Sequence, residues 1–167
     1  MIRSSSGGNR DALRPAWTAA PAALALAVAL SAAADAPVAG DAVFAGRCAV
    51  CHGPDAAGIP GSFPSLHEQI VAFAKTPPGR DYLVMVVTTG LMGELKVGGI
   101  TYRGVMPAQS GLSETEVSAV LSYLASDRGK QVGAAALTAA DVTAIRARHP
   151  EPSAQSTHDL RPTLAAP

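Results

Sequence analysis

Residues 48–52 read Cys48-Ala49-Val50-Cys51-His52, which places two thiols three positions apart and an imidazole directly after the second thiol. Two thiols at this spacing can form thioethers with the two vinyl groups on one edge of a porphyrin. The histidine that follows is then carried under the ring, where its imidazole can bind iron. The motif therefore predicts one covalently attached haem c, with Cys48 and Cys51 as the thioether residues and His52 as an axial ligand.

Three other uses of a CxxC pair fit this chain less well. Cys48 and Cys51 are the only cysteines, and a disulfide between them would close too short a loop to stabilise the fold by chain entropy. A thioredoxin-like redox pair needs a preceding strand in a βαβ unit, whereas the residues before Cys48 have a helical pattern. A zinc site needs a fourth ligand, for which His67 is the nearest candidate.

The second axial ligand of the iron must come from elsewhere in the chain. The candidates are Met85, Met92, Met106, His67, His149 and His158. We favour Met106, because Pro107 follows it within the stretch RGVMPAQSG, and a stiffened irregular segment suits a side chain that must reach the iron. Met85 lies within an apolar segment and is expected in the core. Met92 is the second choice.

The start of the chain has the composition of a secretory signal peptide, which we assign to residues 1–34. A polar, net positive segment precedes the apolar run AWTAAPAALALAVALSAAA, and Ala32 and Ala34 form an A-x-A cleavage site. The alternative is an uncleaved membrane anchor, but the run is mostly alanine and contains Pro21. We therefore expect cleavage before Asp35 and a soluble periplasmic protein, with membrane attachment only if the signal is retained.

Glycines, prolines and apolar periodicity divide the next part of the chain into mainly helical segments. Ser113 and Glu116 form a capping box at the start of the clearest helix, which we expect to end at Gly129. The other predicted elements are a helix that begins at Asp41, a loop over Gly53–Pro64, a helix over Leu66–Lys75 that is stopped by Pro77 and Pro78, a helix over Asp81–Thr89, and a β-hairpin over Leu95–Tyr102 that turns at Gly98-Gly99.

The C-terminal part of the chain is expected to differ from the part before it. Residues 129–150 are predicted to form an extension with one short helix, Thr138–Arg148, which could dock onto a partner enzyme. Residues 151–167 are rich in proline, serine and alanine and are predicted to be disordered, because such a composition buries little apolar surface.

Composition excludes one class of partner and supports a bound macrocycle. Without residues 1–34 the chain has a slight excess of acidic over basic residues, so it lacks the basic face that nucleic-acid binding requires. Aromatic residues make up only 4% of the sequence, and the single tryptophan, Trp17, lies within the predicted signal peptide. A core with so few large side chains would be marginal alone, and a buried porphyrin would add apolar surface.

Four groups of residues together resemble class I cytochrome c over about residues 38–128. They are Gly40-xxx-Phe44-xxx-Cys48-xx-Cys51-His52, Pro64-Ser65-Leu66, Gly104-Val105-Met106-Pro107, and a later helix with Val120 and Tyr123. The resemblance implies an all-α class I cytochrome c fold, with helices around one covalent haem and a small β-hairpin before the methionine ligand.

The same resemblance implies supporting roles around the haem. Pro64 would supply the carbonyl that orients the His52 imidazole through its second nitrogen, and Leu66 would touch the ring. Gly40 and Phe44 would let the first helix cross the later one against Val120 and Tyr123. Tyr102 would also support the haem pocket.

A haem with both His52 and Met106 on its iron has no open position, which suits one-electron transfer without substrate chemistry. The stretch LKVGGITYRGVMP resembles a bacterial subgroup in which a hairpin leads into the methionine ligand, and many members serve periplasmic or membrane-linked dehydrogenases. We therefore expect redox proteins as partners, a dehydrogenase among them. The alternative is an open iron site that reduces peroxide or binds a gas.

Overall fold

The computed structural model describes residues 38–126, 128 and 135–163, which all belong to the second of the two units of the chain, Pro37–Pro167. The predicted signal peptide, residues 1–34, lies outside the described residues. Within the described ranges, no helix is both long enough and apolar enough to span a membrane.

The described chain forms seven α-helices, one π-helical segment and one two-stranded antiparallel sheet. The elements in chain order are α1 (Gly40–Val43), a π-helical segment (Phe44–Cys48), α2 (Ala49–His52), α3 (Glu68–Ala74), α4 (Pro77–Thr89), β1 (Leu91–Val97), β2 (Ile100–Met106), α5 (Glu114–Ala125), α6 (Ala139–Arg148) and α7 (Ala154–Asp159). The architecture is thus mainly helical with one hairpin, as expected.

The first helix crosses α5 at Gly40, where the two backbones are in contact. A Cβ added at Gly40 would lie 2.8 Å from the carbonyl carbon of Ala119 and 2.8 Å from Cβ of Tyr123. One turn further along, the rings of Phe44 and Tyr123 lie 5.9 Å apart. Only a residue without a side chain fits this crossing, so Gly40 determines how closely the two helices approach.

Helix α4 begins at Pro77, four residues before the predicted start at Asp81. The difference arises because two prolines form its first turn. We expected Pro77 and Pro78 to stop one helix, and they also start the next. Proline is tolerated in the first turn of a helix, because the N–H that it lacks would have no intrahelical partner there. The side chain of Thr76 caps this end by accepting a hydrogen bond from the amide of Gly79.

The hairpin turns at Gly98-Gly99 as predicted, but its strands are longer than Leu95–Tyr102. Both glycines have positive φ, +56° and +78°, a conformation that other residues rarely adopt. Pairing continues down to Leu91 opposite Met106. The prediction that Met106 lies in an irregular segment is therefore wrong: it is the last residue of β2, because the antiparallel ladder extends across the glycine-containing stretch.

Helix α5 begins with the predicted capping box. The amide of Glu116 donates to the hydroxyl of Ser113, and the Glu116 carboxylate accepts from the amide and hydroxyl of Ser113. These hydrogen bonds hold the pKa of Glu116 below its ordinary value of 4.5. The helix ends at Ala125, while Gly129, where we expected its end, lies outside the described residues.

We expect Ser113→Ala to lower the free energy of unfolding at pH 7 by about 1 kcal/mol, since it removes an N-cap. A carboxyl group with a lowered folded-state pKa stabilises the protein above its unfolded-state pKa and loses this effect as the pH falls through the folded-state value. The difference from wild type should therefore shrink below pH 4.5. Chemical denaturation at several pH values measures this difference in the free energy of unfolding. Thr115→Ala is the control, because Thr115 is an exposed residue in the same helical turn. A difference that is constant with pH would contradict the role of the carboxylate.

Regular structure in the C-terminal part of the chain continues beyond the one helix that we predicted there. Helix α6 lies within the predicted range and buries Val142 and Ile145. The prediction of disorder over residues 151–167 is wrong for Ala154–Asp159, which form α7, while residues 164–167 lie outside the described residues. The helix sequence AQSTHD is almost entirely polar and therefore gives no apolar stripe to detect. It is held by a Ser153 cap and by the fully buried Thr157.

Candidate functional site

Cys48, Cys51 and His52 lie at the C-terminal end of the first helical stretch. Cys48 is the last residue of the π-helical segment, and the other two residues belong to α2. Residues three apart on a helix lie on the same face, so both thiols are presented together. Both are half-buried and neither is in a disulfide. The helix therefore offers two free thiols to one edge of a ligand, with an imidazole beside them.

The environment of Cys48 favours the neutral thiol. Burial raises the pKa of Cys48 above its ordinary value of 9.0, and the neighbouring charge of Cys51 raises it further. A protonated, partly accessible thiol is the reactant for thioether formation, in which S–H adds across a vinyl double bond. This environment does not resemble that of a redox-active cysteine, which needs a lowered pKa.

The imidazole of His52 is buried and held in one orientation. Its Nδ1–H donates a hydrogen bond of 2.9 Å to the backbone carbonyl of Pro64, the bond that the family resemblance led us to expect. Burial lowers the pKa of His52, and the bond to Pro64 partly opposes this effect. The ring is therefore neutral at pH 7, and Nε2 carries the free lone pair that a metal requires.

The loop that carries Pro64 is fixed by its own backbone. The amide of Gly58 donates to the carbonyl of His52, and the amide of Leu66 donates to the carbonyl of Ala56. Gly58 has a φ of +71°, and a Cβ there would lie 2.7 Å from the carbonyl carbon of Pro64. The loop therefore holds the Pro64 carbonyl at the height of the His52 ring.

The residues predicted to support the pocket do not all lie together. Phe44, Leu66 and Tyr123 belong to one apolar cluster with Cys48. Tyr102 is buried, but it lies in the hairpin opposite Leu95, outside this cluster. Three of these side chains thus lie with the helical stretch that carries Cys48, Cys51 and His52, which we call the attachment helix. Tyr102 lies instead in β2, the strand that ends at Met106.

Met106 and Met92 lie on opposite faces of the hairpin. Met106 pairs with the buried Leu91 and packs against the main core, so it lies on the inner face. Met92 pairs with Val105, and both are exposed on the outer face, at 43% and 65%. Met85 is buried within α4 as part of the core, as expected.

The three histidines other than His52 are already engaged. His67 contacts the carbonyl of Asp55 and the guanidinium of Arg128. His149 lies 3.4 Å from the Asp81 carboxylate, and His158 donates to the carbonyl of Glu94. Within the described residues, no group of three or more His, Cys, Asp or Glu side chains is arranged to hold a metal ion.

Sequence reasoning missed an exposed apolar group beside His52. Phe63 lies 6.4 Å from the imidazole, ring to ring, and pairs through its backbone with Ile59. Ile59, Phe63 and Val50, which lies within the motif, are all exposed, Val50 at 86%. Exposed apolar side chains that adjoin a site commonly contact a ligand. The available signal for Ile59 and Phe63 was their occurrence between glycines and prolines in GIPGSFP.

These observations fit a covalent haem. The chain presents two free thiols on one helix face, a neutral imidazole with a free nitrogen, and apolar side chains next to them. Cys48 and Cys51 would hold the porphyrin edge, and His52 would hold the iron. The bound group supplies a one-electron couple, and the protein supplies its attachment, burial and orientation.

Comparison with known proteins gives the same result. Residues 35–124 match the family described as cytochrome c oxidase, cbb3-type, subunit III. Cytochrome c-552 of Thermus thermophilus is 37% identical over 105 residues, which cover 61% of this chain and 80% of that protein. A second cytochrome c-552, from a named strain of the same species, is also 37% identical over 105 residues, which cover 61% of this chain and 71% of that protein.

The matched region contains the attachment helix, the Pro64 loop, the hairpin and nearly all of α5. Electron transfer through one covalently bound haem c therefore follows from both the site and the relatives. On these grounds the chain belongs to the monohaem c-type cytochromes.

Proposed function

We propose that this cytochrome is a periplasmic one-electron carrier whose iron is bound by His52 on one side and by Met106 on the other. The observation that carries the proposal is the position of Met106 on the inner face of the hairpin. Met92 lies on the outer face, Met85 lies within α4, and the remaining histidines have other partners. Met106 is therefore the side chain best placed to reach a buried iron.

Two protein ligands suit electron transfer, because neither oxidation state needs a new ligand. His52 keeps its orientation through Pro64, and Met106 keeps its position through the backbone ladder to Leu91. A thioether ligand raises the reduction potential relative to a second histidine. We therefore expect Met106→His to lower the potential while leaving the haem covalently bound.

We further propose that the protein acts after export and removal of residues 1–34. The covalent attachment site and the signal-like start of the sequence support this location. Its redox partners would then be proteins of the same compartment, a dehydrogenase as donor and a respiratory-chain enzyme as acceptor. The family match is named for a subunit of a terminal oxidase, which supports the respiratory chain as the acceptor side.

Met106→Ala is expected to remove the methionine–iron charge-transfer absorption of the ferric protein, because alanine cannot bind the metal. Met92→Ala is the matched control: it removes a methionine from the same hairpin but from the exposed face, and it should leave the band unchanged. Absorption spectra of the ferric proteins at pH 7 provide the measurement.

Two outcomes would contradict the ligand assignment. One is a Met106→Ala variant that retains the band, and the other is a wild-type protein that lacks it. In the second case the iron would have an open or differently bound sixth position, as in proteins that reduce peroxide or bind gases.

A further inference from the structure

The C-terminal strap, which we define as Ser153–Arg161, packs against the hairpin that ends at Met106. It consists of α7 with its N-terminal cap and the two residues after the helix. Thr157 is fully buried, and Leu160 packs against the main core. The strap is therefore fixed to the body of the protein.

His158 joins the strap to β1 at two adjacent residues. Its Nε2–H donates a hydrogen bond of 2.8 Å to the backbone carbonyl of Glu94. Its ring also lies directly on Gly93, where an added Cβ would be 2.8 Å from Cδ2 of the imidazole. Gly93 has a φ of +128°, which also excludes most other residues. The absence of a side chain at Gly93 thus leaves room on the strand for the His158 imidazole.

Arg161 makes a second connection nearer the tip of the hairpin. Its Nη2 donates to the backbone carbonyl of Lys96 at 3.1 Å and to Oε1 of Gln69 in α3 at 2.7 Å. The guanidinium also lies 5.5 Å from the centre of the Phe73 ring, within the range of a cation–π interaction. Through Arg161, the strand is tied to helix α3 as well as to the strap.

A two-stranded hairpin is marginally stable by itself in water and needs cover from the rest of the fold. At its base, the backbone of Met106 passes directly over Gly90, and the amide of Gln109 donates to the carbonyl of Val87. Beyond the base, His158 and Arg161 hold the β1 backbone. Since β1 and β2 pair in register down to Leu91 and Met106, a displacement of β1 would also displace Met106.

We propose that the C-terminal strap is a latch that keeps Met106 on the iron, with His158 and Arg161 as positioning residues for this ligand. The inference rests on the proposed ligation by Met106. The latch acts by reducing how often the hairpin opens, and it leaves the covalent attachment through Cys48 and Cys51 unchanged.

The rate of cyanide binding to the ferric protein tests the latch. At low cyanide concentration this rate is proportional to the fraction of molecules in which the methionine–iron bond is open, so it reports how often Met106 leaves the iron. We expect His158→Ala and Arg161→Ala each to increase it by about three- to tenfold, the change in an opening equilibrium that corresponds to one lost hydrogen bond to the β1 backbone. Both variants should retain the charge-transfer band, and the amides of β1 should exchange with solvent faster.

Two further variants separate positioning from general destabilisation. His158→Gln keeps a side-chain N–H donor and should return the rate towards the wild-type value. Gln155→Ala changes an exposed residue of the same helix whose hydrogen bond is to Asp159, and it should leave the rate unchanged. An increase for Gln155→Ala equal to that for His158→Ala would overturn the proposal.

Ligation by Met106 and the latch function of the strap are tested by different measurements. If the wild type lacks the methionine band, ligation by Met106 fails and the latch fails with it. If the wild type has the band but His158→Ala and Arg161→Ala bind cyanide as slowly as the wild type, the latch alone is overturned.

Discussion

Replacement of both Cys48 and Cys51 with serine is expected to yield a protein that loses its haem on denaturation. The two thiols are the only ones in the chain, so no other cysteine could form a thioether. Without covalent bonds, retention of the haem would depend on the folded pocket and on the bond to His52. Haem staining after denaturing electrophoresis and the intact mass of the chain provide the measurement. We expect the wild type to retain its haem fully and the double variant to retain none.

The single variants are the matched controls for this experiment. Cys48→Ser and Cys51→Ser each keep one thioether, so each should retain the stain and have the mass of the haem-bound chain. Their absorption should shift, because one vinyl group of the porphyrin stays unsaturated. Haem that remained with the double variant after denaturation would contradict attachment at this motif.

Gly40→Ala should destabilise the protein by about 3 kcal/mol, the upper part of the usual range for overpacking. The added methyl group would meet the backbone of Ala119 and Cβ of Tyr123, which cannot rotate away as a long side chain would. The helices would have to separate, and the contact between Phe44 and Tyr123 would weaken. Chemical denaturation monitored by circular dichroism measures the loss.

Gly46→Ala is the control, because it makes the same substitution further along the same helical stretch. A Cβ at Gly46 would meet nothing within 4 Å. Alanine is favoured over glycine in helices by about 0.5–1 kcal/mol, so this variant should be slightly more stable than wild type. Equal losses from both substitutions would show that helix conformation, and not the crossing with α5, accounts for the effect at Gly40.

Local signals predicted much of the fold. The predicted capping box at Ser113 is present, since a cap depends only on residues within one turn. The turn at Gly98-Gly99 was also found from the two residues that form it. Each of these features is decided by interactions over a few neighbouring positions, which a single sequence displays directly.

Non-local contacts account for the errors in the hairpin and in the C-terminal tail. The strands extend to Leu91 and Met106 because each residue of one strand has a partner on the other, and pairing between residues so far apart in the chain leaves no local pattern. Likewise, α7 has a polar sequence that predicts disorder, and it is ordered by the contacts of His158 and Arg161 with a strand in a distant part of the chain.

The sequence by itself determined the attachment of the haem, because Cys48, Cys51 and His52 are neighbours on one helix and their chemistry depends on spacing alone. It also indicated Gly40 and Pro64 through a family resemblance. Only the tertiary structure decided that Met106 lies inward while Met92 lies outward, since a strand alternates faces and the register selects which face is buried. It alone showed that the C-terminal strap holds the hairpin, because contacts between distant segments follow from packing and not from local sequence.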